Sequence, residues 1–207
     1  MVAWFDENKV LHSKRCECMD RRVSLRRIRQ SGMEELLDRF TFDSYQTPDA
    51  KRLKTKTLAK QFAESDEGWF YIGGQQGGGK THICTAICAR LIERGVDVYY
   101  MPWRDESMAL KACVTDVAEY ESRIHGLKHV RVLYIDDLFK GGSSEADVRL
   151  AVEIINARCY RKSLRTVISS ELSMEHLAKI DESLGSKIYE HAEGYRLTAP
   201  PENWRLK

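Results

Sequence analysis

Nowhere in these 207 residues is there a run approaching the ~20 consecutive apolar residues that a bilayer-spanning helix needs. Met1–Val10 also carries no apolar signal-peptide core, so a cytoplasmic location without membrane attachment is expected. Prolines number only four, and there are no repeats or low-complexity tracts, which argues against linker-like or fibrous chains. Charge of one sign is not in excess either: the formal net charge is +2. The six cysteines do not suggest a disulfide framework, because Cys84 and Cys88 sit at i, i+4 in an apolar helical pattern where thiols behave as small hydrophobes. What remains, 43% hydrophobic and 31% charged residues, suits one globular α/β domain with a short appendage.

The chain should begin with a short helical segment over residues 1–45, followed by the main domain over 46–207. Ser24 is a candidate N-cap, and Ser31 with Glu34 reads as a capping box ahead of a face formed by Met33, Leu36, Leu37 and Phe40. This segment holds Lys9, Lys14, Arg15, Arg21, Arg22, Arg26, Arg27 and Arg29 against few acids. Two readings stay open, a solvated helix face or a surface for an acidic partner or nucleic acid. After Thr47-Pro48-Asp49 a helix is expected over 50–64, and then apolar runs alternate with helical patterns. Strands are expected at 69–73, 96–101, 130–136 and 165–170, with helices at 80–94 and 145–160 and a polar helical stretch after 101. The alternation implies a parallel sheet flanked by helices, with ligands at the carboxyl ends of the strands.

Two motifs fall at such ends. Gly74-Gln75-Gln76-Gly77-Gly78-Gly79-Lys80-Thr81 fits G-x-x-x-x-G-K-[ST] between a strand and a helix. Its glycines let backbone amides turn toward phosphates, and the helix start adds amides and a dipole. Lys80 would reach the β- and γ-phosphates of a nucleoside triphosphate, and Thr81 would hold Mg²⁺. The apolar Val132-Leu133-Tyr134-Ile135 run ends in Asp136-Asp137. Asp136 is the expected magnesium-shell residue. Asp137, on the opposite face by strand alternation, is the expected base that polarises the attacking water.

The residues Gly79-Lys80-Thr81-His82, Asp136-Asp137, Thr166-Val167-Ile168-Ser169-Ser170 and Leu184-Gly185-Ser186-Lys187-Ile188 together resemble the AAA+ ATPases of the DnaC/DnaI type, the replicative helicase loaders, including phage and prophage versions. IstB-type transposition helper ATPases share nearly the same arrangement. The resemblance implies an AAA+ P-loop ATPase that hydrolyses ATP to ADP with Mg²⁺ and adds His82 to the nucleotide-binding set. It further implies a DnaB-type helicase and single-stranded DNA as partners, with self-association on ATP or partner binding. The alternative is a nucleotide-regulated adaptor for DNA or a transposase.

The resemblance also assigns finer roles. Ser170 and Glu171 fall at sensor 1, although relatives often carry Asn where this chain has Glu171. Lys187 falls where relatives place an arginine that reaches a neighbour's nucleotide; as a point charge it should act less strongly. Arg158, Arg161 and Arg165 are the next candidates for that cation, and Arg205 falls near the sensor 2 position. Too little chain follows residue 170 for a full helical lid, so the lid is expected to be reduced or absent. Cys16-Glu17-Cys18 resembles half of a four-cysteine zinc site; with His12 only three ligands assemble nearby, so no structural zinc is expected.

Overall fold

The computed structural model describes residues 2–5, 11–14 and 33–200. Val2–Phe5 (β1) and Leu11–Lys14 (β2) pair antiparallel, from Val2↔Lys14 to Phe5↔Leu11. The opening of the chain is therefore not the helical segment expected above. Val, Trp and Phe favour extended backbone, and so short a run offers no helical period to outweigh that preference. Helix α1 spans Glu34–Arg39 and starts at Met33, which provides no side-chain cap. Ser24 and Ser31 lie outside the described residues.

Helix α2 (Ala50–Glu64) begins where Asp49 accepts a bond from the Arg52 amide, as N-cap chemistry dictates. Next come β3 (Phe70–Gly73), α3 (Lys80–Glu93), β4 (Val98–Pro102), α4 (Trp103–Ala112), α5 (Val117–His129) and β5 (Val132–Leu138). The expected polar helical stretch is thus two helices, with Asp116 capping the second. The described chain continues through α6 (Glu145–Cys159), β6 (Arg165–Ser170), α7 (Met174–Ile180), α8 (Glu182–His191) and β7 (Arg196–Thr198).

The five later strands form one parallel sheet in the order β4-β5-β6-β3-β7. Strand periodicity divides the core. Leu133, Ile135 and Ile168 face one layer with Trp103, Leu150, Ile154 and Ile188, while Val132, Tyr134 and Val167 face the other with Phe62, Ile83 and Ile87. Met33 and Tyr45 belong to the second layer. Residues 33–45 thus pack on the sheet, and the domain edge expected at 45/46 falls inside packed structure.

The sequence reading had no β7. Helices α7 and α8 connect β6 to this strand on the far side of β3, so they complete the α/β core rather than cap the ligand end. At their crossing, Gly185 lets α8 approach closely: a Cβ there would lie 2.6 Å from the Cα of Ala178.

Two of the arginines expected as interface cations are structural. The buried Arg158 guanidinium donates to the carbonyls of Leu127, Val130 and Arg165 and to Thr166 Oγ1. Arg165 is also buried, donating to the Phe62 carbonyl with its guanidinium 4.2 Å from the Phe62 ring centre. Arg161 is exposed but precedes β6, at the amino ends of the strands and away from the P-loop that follows β3. Arg158 and Arg165 are corrected by burial, and Arg161 has no part in its own chain's cleft.

Candidate nucleotide site

The loop from Gly74 to Gly79 wraps the carboxyl end of β3. Gly74, Gly77 and Gly79 take φ values of +129°, +79° and +83°, a region that disfavours side chains. Gly78 is required for another reason, since a Cβ there would come within 2.9 Å of both the Ala199 Cβ and the Pro200 carbonyl. The segment after β7 therefore backs the loop, and the Ala199 amide donates to the Gly73 carbonyl at 2.7 Å.

Lys80 opens α3 and is 5% exposed. Its ammonium donates to the carbonyls of Gly74 (2.7 Å) and Gln75 (2.9 Å). Burial lowers its pKa, opposed by the nearby Asp137 and Glu171 carboxylates. Thr81 donates its hydroxyl to Asp136 at 3.4 Å. Because Asp136 shares strand parity with Val132 and Tyr134, its carboxylate falls on the α3 side, where four hydroxyls meet it. Tyr134 and Ser169 donate to Oδ1, each at 2.6 Å, and Tyr100 donates to Oδ2 at 3.0 Å. A carboxylate offers about four acceptor positions, so Asp136 is nearly saturated.

Asp137 departs from the expected alternation. The β5–β6 register shifts between Ile135 and Leu138, and Asp137 adopts φ +56°. That left-handed turn brings its carboxylate back to the same cleft as Lys80 and Thr81 instead of the opposite face. Its amide donates to Ser169 Oγ at 2.9 Å and its Oδ2 pairs with Lys140. Ser169 thus links both aspartates, whereas Ser170, the expected sensor, turns away. The Ser170 hydroxyl donates to the Leu138 carbonyl and accepts from the Leu172 amide. Glu171 does reach the cleft and accepts from Gln76 Nε2 at 2.7 Å.

The cleft, about 420 Å³, is lined by Gln76, Lys80, Thr81, Asp137, Lys140 and Glu171 on one side and by Leu36, Arg39 and Phe40 on the other. His82 fastens that second wall. The Phe40 ring stacks on it at 4.7 Å, the Tyr45 ring meets it edge-on at 5.1 Å, and its Nε2 lies 3.0 Å from the Thr41 carbonyl and 3.1 Å from Ser44 Oγ. Burial lowers the His82 pKa.

Lys187 lies elsewhere, its ammonium donating to Asn156 Oδ1 (2.6 Å) and Ser183 Oγ (2.8 Å). Cys16, Cys18 and Arg205 lie outside the described residues, as do the side chains of β1 and β2, His12 included. Sequence reasoning missed the 36–40 wall, Lys140, and the Tyr100 and Tyr134 hydroxyls. Tyr134 had a usable signal, two places before Asp136 on the same strand face. The wall had none, since it is joined to the P-loop only by tertiary packing.

A family model described as IstB-like ATP binding protein matches residues 4–191. YqaM of Bacillus subtilis is 31% identical over 91% of this chain, and this chain spans 64% of its length. The phage-like element PBSX protein XkdC of the same organism is 31% identical over 87% of this chain and 72% of its own. The replicative helicase loader DnaC of Escherichia coli is 24% identical over 91% of this chain and 77% of its own. Among solved structures, that of a DnaC helicase loader aligns with TM-score 0.71 and 22% identity over 78% of this chain and 97% of that one. The structure of DnaI aligns with TM-score 0.66 and 24% identity over 82% and 92%. These likenesses support the parallel-sheet P-loop fold, and no helix among the described residues is long and apolar enough to cross a membrane. With its glycine cradle, its buried lysine and a family model covering most of its length, the chain belongs to the IstB-like ATP-binding proteins.

Proposed function

We propose that this chain binds and hydrolyses ATP and uses the nucleotide state to grip a ring-shaped replicative helicase and deliver it to single-stranded DNA. The observation that carries the proposal is the convergence of Lys80, Thr81 and Asp137 on one cleft at the strands' carboxyl ends, with Asp136 bonded to Thr81 behind it. Phosphates would be met by the amides of Gly77, Gly78 and Gly79 and by the Lys80 ammonium, which exchanges its loop carbonyls for phosphate oxygens.

The residues present suit magnesium, a hard cation that keeps most of its waters. Thr81 Oγ1 would be its direct protein ligand. Asp136, already accepting from Tyr134, Ser169 and Tyr100, would hold those waters rather than the ion. When bound, the ion would neutralise charge building on the β- and γ-phosphate oxygens. Asp137 would orient and deprotonate the attacking water, with Ser169 fixing its backbone.

Lys80→Ala should abolish tight ATP binding and leave the melting temperature near wild type. Asp137→Asn should keep binding while slowing hydrolysis about 10²–10⁴-fold. Calorimetry with ATP and a phosphate-release assay measure both, and wild-type affinity in Lys80→Ala would remove the nucleotide assignment. The partner is tested by capture from host lysate in ATP and in ADP, which should recover a replicative helicase in a nucleotide-dependent way. The family model is named for IstB, and this supports the rival reading, an adaptor that assembles on duplex DNA or a transposase. Recovery of those partners instead would favour it.

A further inference from the structure

Four residues after Asp136, on the loop between β5 and α6, Lys140 places its ammonium against the Asp137 carboxylate and 4.0 Å from Glu171 Oε1. Glu171 in turn accepts from Gln76 of the P-loop. These four side chains and Lys80 line the same cleft. Lys140 is 41% exposed, so water and a polyanion can reach its ammonium from the open side. The catalytic reading leaves it without a role, and its place is awkward for a passive ion pair, because it neutralises the carboxylate expected to take a proton.

The loop that carries Lys140 is strained at its base and open to solvent at its tip. Asp137 and Phe139, neither a glycine, both take left-handed backbone at φ +56° and +62°. Such conformations are uncommon for these residue types, unfavourable for a bulky one, and concentrate at functional and switching sites. Gly141 and Gly142 follow with φ +87° and +118°, and no atom lies within 4 Å of a Cβ built on either, so the tip is held by its own backbone bonds, Lys140 N–H to the Asp137 carbonyl and Gly142 N–H to the Phe139 carbonyl, without side-chain packing. Asp137 is tied to Ser169 and Phe139 is packed edge-on against Trp103 at 5.3 Å, so the anchored half of the loop meets its loose half at Lys140.

We propose that Lys140 is the γ-phosphate-responsive cation of this site, supplied by the same chain. It holds Asp137 when the cleft carries a nucleoside diphosphate, and it transfers to the terminal phosphate of a triphosphate. The transfer exchanges one anionic partner for a more highly charged one and leaves Asp137 free to act on water. Glu171 lies on the same side of the cleft and keeps the ammonium near it during the exchange. This inference rests on the ATP-binding reading above, and Lys140 here is a catalytic residue in direct contact with substrate.

The test is equilibrium binding of a non-hydrolysable ATP analogue and of ADP, each with Mg²⁺, to the full chain and to Lys140→Ala and Lys140→Arg. Lys140→Ala should weaken the triphosphate analogue about 10–100-fold, the range of one charged hydrogen bond, and leave ADP within about twofold. Lys140→Arg should retain most of the triphosphate preference. Equal losses for both nucleotides, or none for either, would overturn the proposal and leave nucleotide binding standing. Wild-type protein that binds neither nucleotide would overturn the ATP-binding reading, and this inference with it.

Discussion

His82 joins the P-loop helix to the residue 36–45 wall through two aromatic rings and through contacts of its Nε2 with the Thr41 carbonyl and Ser44 hydroxyl. Its folded pKa lies below its ordinary value because burial disfavours the cation. The unfolded chain therefore binds more protons than the folded one between the folded pKa and about 6.5, so stability is complete above that window and is lost as pH falls through it. The melting temperature of wild type should drop more steeply from pH 7 to pH 5 than that of His82→Asn; parallel curves would mean that folded and unfolded chains protonate His82 alike. At this scale the sequence was informative where chemistry demands a residue type in a fixed local frame. Lys80, Thr81 and Asp136 stand where the motif spacing put them. Ser170 was misread because the strand end offers two adjacent serines, and it is Ser169 that shares with Val167 the sheet face on which Asp136 follows Val132 and Tyr134.

The contact between the P-loop and the segment after β7 has no counterpart among the sequence motifs, yet it sets what the loop tolerates. Gly78→Ala should destabilise the fold by about 1–3 kcal/mol, because its methyl group would press on Ala199 and Pro200. It should weaken nucleotide binding as well, by displacing the amides that face the phosphates. Ala199→Gly removes one of the two obstructing atoms and should restore part of the loss in the double variant, as thermal unfolding and calorimetry can record. An additive double variant would mean that the loop relaxes in another direction. Helix α2 and strand β6 were legible to the residue, because Asp49 caps the first and an apolar run marks the second. The three-residue β7 was not, since Arg196-Leu197-Thr198 is a strand only through pairing with β3. For the same reason α7 and α8 were taken as too little for a lid, when they form a crossover and Gly185 serves their close approach.

For the whole molecule, the open question is what a second copy adds. The proposal that Lys187 acts on a neighbour's nucleotide fits its distance from its own cleft, and Asn156 and Ser183 would hold its ammonium in a fixed direction. Turnover should then rise with protein concentration. Lys187→Ala should remove that rise, about 10–100-fold on the scale of trans-acting cations, without altering nucleotide affinity, and Lys187→Arg should keep it. Three superimposable curves would leave Lys187 as a helix-packing residue and Lys140 as the cation to weigh. The strand order carries one more implication, for the time course of folding. Ser169 finds Asp136 across a separation of 33 residues, whereas Tyr71 must wait for Leu172, 101 residues further along. Loop-closure entropy then favours the β5–β6 pairing early and the entry of β3 between β6 and β7 late. The P-loop hangs from that late strand, so the aspartates are in place before the phosphate cradle exists, and a partly folded chain can present the acidic half of the site without capturing nucleotide.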